Sequence, residues 1–181
     1  MRIGVDGYNL AMANGTGIAT YAVTLADELA TMGHAVEGVF GLKVPADASL
    51  REAAFFDALQ RPLDPSKRVA RWTRRWEFAR SFGRPRPREV PLTDQVEKSA
   101  FRGRMPSFAR VVSSDRLFDR AFVQFRWTGK FLSVAMENPP EVMHWTYPVP
   151  VKVKGARNIY TLHDLVPVSY THLTLPTNRE V

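Results

Sequence analysis

No cysteine occurs among the 181 residues. Disulfide staples and thiolate zinc centres are thereby excluded, and the composition fits a reducing cytosol. No run of about 18 apolar residues is present, so nothing reads as a membrane-spanning helix. The opening MRIGVDGYNL lacks the apolar core of a signal peptide and reads as a strand. His, Asp and Glu never recur at metal-ligand spacing, so no bound metal is expected. There is no GxGxxG fingerprint, which removes the sequence argument for a nicotinamide cofactor. No Ser-His-Asp arrangement assembles from the sequence alone, and no internal repeat is visible.

Hydrophobic residues make up 45% of the chain, enough for one folded domain with a real core. The net charge of +7 is unevenly spread. Residues 61–110 hold 14 Lys+Arg against 5 Asp+Glu, while the remainder is slightly acidic. The partner implied by that stretch is anionic: a membrane surface, a phosphate-bearing lipid or a nucleic acid. Within it, KRVARWTRRWEFARSF (residues 67–82) has helical character and sets Val69, Trp72, Trp76 and Phe82 near one side among arginines. A basic helix with interfacial aromatics can lie on an anionic bilayer, so Arg71, Trp72, Arg74, Arg75 and Trp76 are membrane-contact candidates. The plainer reading is a solvated helix whose aromatics pack inward.

Hydrophobic periodicity predicts a strand over residues 3–6 and a helix over 17–32. Gly33 should terminate that helix, and a second strand is predicted over 35–41. A helix is predicted over 51–60. RPRPREVP (residues 84–91) reads as surface loop, because its prolines remove donors and bias their neighbours toward extended geometry. Residues 114–134 look helical, with Leu117, Phe118, Ala121, Phe122 and Phe125 on one face and Ser114 or Asp115 as cap. Strands are predicted over 141–145 and 158–162, the latter a buried parallel strand. The whole is α/β: a mostly parallel sheet flanked by helices, with residues 45–134 inserted as helices and loop.

In open α/β sheets, ligands bind just outside the C-terminal ends of the strands. Asn14-Gly15-Thr16-Gly17 lies between the first strand and its helix. Glycine there permits positive φ and close backbone approach, and the free N–H groups of the helix start favour an anion. An ordinary turn is the plainer alternative. The apolar run Ile159-Tyr160-Thr161-Leu162 ends abruptly in His163-Asp164. An imidazole at such an edge can donate or accept a hydrogen bond near neutral pH. Asp164 would orient His163 or cap the next element. Asp6, Tyr8 and Asn9 follow the first strand and could line the same cleft, although Asp6-Gly7 could simply form a turn. His144, Trp145 and Tyr147 close the penultimate strand. Aromatic faces suit sugar rings, while Trp145 could equally be core.

GTGIATYAVTLADELATMGHAV, HWTYPVPVKVKGARNIYTLHDLVP and the opening strand together resemble the N-terminal domain of a retaining glycosyltransferase of the GT-B fold. The nearest group is the family-four transferases of bacterial polysaccharide and lipid-linked sugar assembly. The resemblance covers roughly residues 1–40 and 141–167. It implies a Rossmann-like half that supplies the acceptor surface. His163 would be the catalytic candidate, contacting the reacting sugar or acceptor. Gly15, Thr16, Gly17, Tyr8, Asn9, Tyr147 and Asp164 would be the substrate-binding candidates. The donor would be a nucleotide-diphosphate sugar, with no tightly bound cofactor. The acceptor would be a saccharide or lipid-linked molecule, and the location cytoplasmic or peripheral at the inner face of the membrane. A second domain in cis, carrying paired glutamates, would hold the donor. The 181 residues alone should therefore be inactive.

Two other classes remain beside this one. A nucleic-acid-binding module is motivated by the basic, aromatic stretch at 61–110, although no helix-turn-helix, RRM or zinc-finger signature is there. A non-catalytic nucleotide- or sugar-binding domain would share the fold. The end of the chain reads differently from the rest. VSYTHL back-translates to GTC TCT TAT ACA CAT CTN, which matches a transposon end used in sequencing libraries. Residues 168–181 are thus expected to be translated adapter after a biological sequence ending near Pro167. A native reading through Val181 in an independent clone would refute that, and no function is assigned to His172.

Overall fold

A computed structural model describes residues 1–12, 17–60, 85–93 and 105–163. The strands are β1 (Arg2–Asp6), β2 (Ala35–Phe40), β3 (Arg88–Val90), β4 (Arg110–Ser113), β5 (Leu132–Val134), β6 (Val142–Trp145), β7 (Val151–Val153) and β8 (Arg157–Tyr160). The helices are α1 (Gly17–Thr31), α2 (Arg51–Gln60) and α3 (Leu117–Thr128). Six strands form one sheet in the order β3-β4-β2-β1-β6-β8, and β5 and β7 form a separate parallel pair. Every neighbouring pair in the large sheet is parallel except β3 with β4. The chain is thus α/β, with a mostly parallel mixed sheet flanked by helices.

Residue alternation along the strands feeds two cores. On one face, Val5, Val36, Phe40 and Val111 meet Ala22 and Ala26 of α1 and Phe55 and Leu59 of α2. The two alanines let α1 lie close against the strands. On the other face, Val39, Val112, Met143 and Trp145 meet Leu117, Phe118 and Ala121 of α3 and Val151 and Val153 of β7. Helix α1 ends as its sequence predicts. Gly33 takes φ 82°, its N–H bonds the Ala30 carbonyl at 2.9 Å, and the His34 N–H reaches Leu29 O at 3.1 Å. This is a Schellman closure, which needs a residue tolerant of the left-handed region.

Gly7 makes a different demand. A Cβ built there would overlap the Phe40 ring, which is fully buried. Gly7→Ala is therefore expected to destabilise the fold by about 1–3 kcal/mol, because the ring has no free volume to enter. Chemical denaturation would read the loss, and an unchanged midpoint would contradict this packing.

Four expectations are corrected. Within residues 84–91, β3 forms and pairs antiparallel with β4. Pro87 and Pro91 bracket it, and as the edge strand it loses little from their missing donors. The middle stretch read as inserted helices and loop thus contributes two strands, β3 and β4, to the main sheet. The helix over 114–134 is only α3, preceded by β4 and followed by β5. Its N-cap is Arg116 at φ 53°, without a side-chain cap, and Gly129 at φ 64° stops it. Phe125 consequently leaves the buried face and is 42% exposed. Finally, β8 is parallel but not buried. Among the described strands it borders only β6, and Ile159 is 49% exposed.

Candidate functional site

The order of the sheet locates the site. From β1 the chain moves outward to β2 on one side and later returns to β6 on the other. Strand order therefore reverses between β1 and β6, the place where open α/β sheets commonly bind ligands. Asp6 ends β1 and Trp145 ends β6. Thr161 follows the end of β8, which pairs with β6 so that Trp145 faces Tyr160.

Asp6 ends β1 with no solvent exposure. Its Oδ2 accepts from both the backbone N–H and the hydroxyl of Thr146, the latter at 2.8 Å, and its Oδ1 accepts from the Tyr8 N–H at 3.1 Å. Burial pushes its carboxyl up to about 6, against the opposing pull of the Thr146 and Tyr8 donors. The Asp6-Gly7 turn is thus also real: the Tyr8 N–H closes it onto the Asp6 side chain.

Thr146 links Asp6 to His163. His163 Nε2 lies 2.6 Å from the Thr146 carbonyl oxygen. A carbonyl only accepts, so Nε2 carries the proton, and in the neutral ring Nδ1 is the nitrogen with the free lone pair. The His163 ring also meets Tyr21 edge-on, with centroids 5.0 Å apart. Tyr21 lies one turn into α1, so the helix start at Gly17 and His163 share one edge of the sheet. Behind them, His144 Nε2 is 2.7 Å from Thr161 Oγ1, and Tyr21 OH is 3.4 Å from the same hydroxyl. Burial, and then the nearby His163, hold the His144 imidazole below its ordinary value, which favours the neutral ring at neutral pH.

Beyond Asp6, Tyr8 stacks on Tyr147, with centroids 5.6 Å apart and planes 27° from parallel. Phe118 supports Tyr8 edge-on at 5.0 Å. Burial raises the Tyr8 hydroxyl above its ordinary value, with Tyr147, Asp119 and Asp6 adding to the shift, so it remains a neutral phenol. Beside Tyr8 lies a cavity of about 60 Å³ lined by Tyr8, Leu42, Arg116, Phe118 and Asp119. Ligand pockets of ordinary size run to roughly 300–1,000 Å³, so this is a niche in an open edge. Asn9 is buried beside Tyr8, and its Nδ2 has no hydrogen-bond partner among the described residues.

Several sequence expectations meet here. Tyr8, Tyr147 and His163 lie on the C-terminal edge, and Gly17 opens the helix beside them. Trp145 takes the core alternative: it has no exposure and stacks inside on Tyr160, so no ligand reaches its face. Gly15, Thr16 and Asp164 lie outside the described residues, as do Arg71, Trp72, Arg74, Arg75 and Trp76. The sequence reading overlooked Thr146, Thr161 and Tyr21. One signal was available: an aromatic followed by threonine closes both strands, as Trp145-Thr146 and Tyr160-Thr161. The Thr146 hydroxyl goes to Asp6 and the Thr161 hydroxyl to His144. No helix among the described residues is long and apolar enough to cross a membrane.

The arrangement brings an imidazole, threonine hydroxyls and a buried carboxyl together with a pair of aromatic rings at one edge of the sheet. The chain matches no protein-family model, no curated protein and no solved structure.

Proposed function

We propose that this chain is the acceptor-side, Rossmann-like lobe of a retaining GT-B glycosyltransferase. The reaction is transfer of a hexose from a nucleotide-diphosphate sugar to a saccharide or lipid-linked acceptor, on the cytoplasmic side of the membrane. The observation that carries the reading is the convergence of the Tyr8–Tyr147 stack and the His163 imidazole on one strand edge beside the β1/β6 reversal. The order of the sequence motifs supports it independently. Sugar rings present C–H faces to aromatics and hydroxyls to imidazole and threonine, and both kinds of partner lie along this strand edge.

In this reading His163 Nδ1 accepts a hydrogen bond from a sugar hydroxyl, and the Thr146 carbonyl keeps the ring in the form that leaves Nδ1 free. Tyr8 and Tyr147 hold the acceptor ring. A second lobe in cis binds the donor nucleotide, and closure of the two lobes excludes water from the transfer.

The test has two arms. Titrating acceptor saccharides into the 181-residue chain should perturb the NMR signals of Tyr8, Tyr147 and His163 without any transfer. In a two-lobed parent, His163→Ala should lower kcat by about a hundredfold, the scale of one well-placed hydrogen-bonding or proton-transferring group. Undiminished turnover in that variant removes His163 from the chemistry. Sugar binding without transfer by the two-lobed parent would leave a non-catalytic sugar-binding domain instead.

A further inference from the structure

The last turn of α3 departs from the core. Leu117, Phe118 and Ala121 are buried, but Phe125, Trp127 and Phe131 are 42%, 69% and 40% exposed. The exposed rings are not scattered. Phe125 meets Phe131 edge-on at 5.6 Å, and Phe131 meets Tyr160 at 5.6 Å, so apolar surface runs from the helix end toward β8. Arg126 and Lys130 are exposed in the same stretch. From residue 120 to residue 136 there is no Asp or Glu, while Arg120, Arg126 and Lys130 are all basic.

The tip is also held in shape. Gly129 at φ 64° reverses the chain after the helix. The Lys130 N–H donates to Thr128 Oγ1 at 3.1 Å, and Gln124 Nε2 donates to the carbonyls of Lys130 and Phe131 at 3.5 and 3.3 Å. The rings are therefore presented without a large ordering cost on contact.

We propose that the tip formed by residues 125–131 is a docking surface for an anionic lipid bilayer. Trp127, Phe125 and Phe131 enter the interfacial layer, where amphipathic rings are favoured. Arg126 and Lys130 face the phosphate headgroups, their stems lying along the apolar layer. Charge decides between this and the other occupants. A second copy of the chain would bring the same cations against each other. A single-stranded nucleic acid needs an open stacking platform, whereas Phe125 and Phe131 meet edge-on. The inference is independent of the sugar-transfer reading, and it differs from a contact through the basic stretch at residues 67–82.

The experiment is co-sedimentation of the full chain with vesicles of phosphatidylcholine, with and without phosphatidylglycerol. Wild-type protein should bind only the anionic vesicles, and added salt should weaken binding. Arg126→Glu with Lys130→Glu should lower the partition coefficient at least about tenfold, with unchanged thermal melting because both side chains are exposed, and Trp127→Ser should lower it several-fold. Four results would overturn the proposal. They are no vesicle binding by wild type, binding lost only on substitution of Arg71, Arg74 and Arg75, a Trp127-dependent dimer in sedimentation, and loss of nucleic-acid rather than vesicle binding in the same variants.

Discussion

Replacing Trp145 by alanine is expected to cost about 3–5 kcal/mol, the range for removing a large aromatic from a packed interior. Trp145 has no exposed surface, stacks on Tyr160 with planes 16° apart, and donates its indole N–H to Asn158 Oδ1 at 3.0 Å. Asn158 in turn binds the backbone of Val153 and the carbonyl of Ala156. One side chain therefore joins β6, β8 and the turn from β7. A small domain holds only about 5–15 kcal/mol in total, so the alanine variant should be largely unfolded at modest urea concentration. Trp145→Phe separates the two contributions. It keeps most of the apolar volume and loses the N–H, and should cost about 1–3 kcal/mol. Asn158 Oδ1 retains its Val153 donor at 2.9 Å, which limits that loss. Equal stability of wild type and the alanine variant in urea would mean that Trp145 is not the keystone of this face. The prediction bears on the site because β8 carries Thr161 and His163 at its end.

The second expected result is a pH dependence written by Asp6. Its carboxyl is raised from 3.8 to about 6 by complete burial, despite donors from Thr146 and Tyr8. Between those two values the folded protein holds a proton that the unfolded chain has released. Stability from this group is therefore fully present below pH 3.8 and is lost as pH rises through about 6. The shift corresponds to an effect on the order of 3 kcal/mol. The sign is opposite to that of a salt-bridged surface carboxylate, which loses stability on acidification. Other groups also titrate in this range, so the measured quantity is the difference between wild type and Asp6→Asn. That difference should change by roughly 2–3 kcal/mol between pH 4 and pH 7 and be flat above it. A difference curve with no slope across this window would show that Asp6 is not desolvated in solution. Because Thr146 also receives His163, the same substitution should loosen the imidazole and speed solvent exchange of its Nε2 proton by about fivefold, the worth of one hydrogen bond.

The alternation of strand and helix at the start of the chain was legible because each signal is local. MRIGVD is apolar enough to be buried, Ile18, Tyr21, Ala22 and Leu25 recur at helical spacing, and Gly33 marks where the helix must stop. The ends of β6 and β8 were equally plain, and Tyr8, Tyr147 and His163 lie on the edge where those signals put them. The middle was less legible. β4 is four residues long, and nothing in RVVS distinguishes a central strand from the start of a helix. Its identity comes from pairing with β2, which lies about seventy residues earlier in the chain. The helix expected over 114–134 overran both ends because its apolar spacing continues into β5, and only the left-handed turn at Gly129 interrupts it.

By itself the sequence determined the element order in the first forty residues, the parallel strand ends that carry polar groups, and the absence of any thiol chemistry. Those follow from periodicity, composition and glycine placement, which act between neighbours. Tertiary structure alone decided which polar groups meet. Glu37 is buried because Arg2 and Arg110 come to it at 3.7 and 3.4 Å. Asp6 is raised because the packed sheet end buries it completely, against the pull of donors from Thr146, 140 residues away. Phe125 and Trp127 are exposed because the last turn of α3 runs past the core that Leu117, Phe118 and Ala121 join. Burial and long-range hydrogen bonding depend on distances between segments remote in sequence, and hydrophobic spacing along the chain carries no information about those distances.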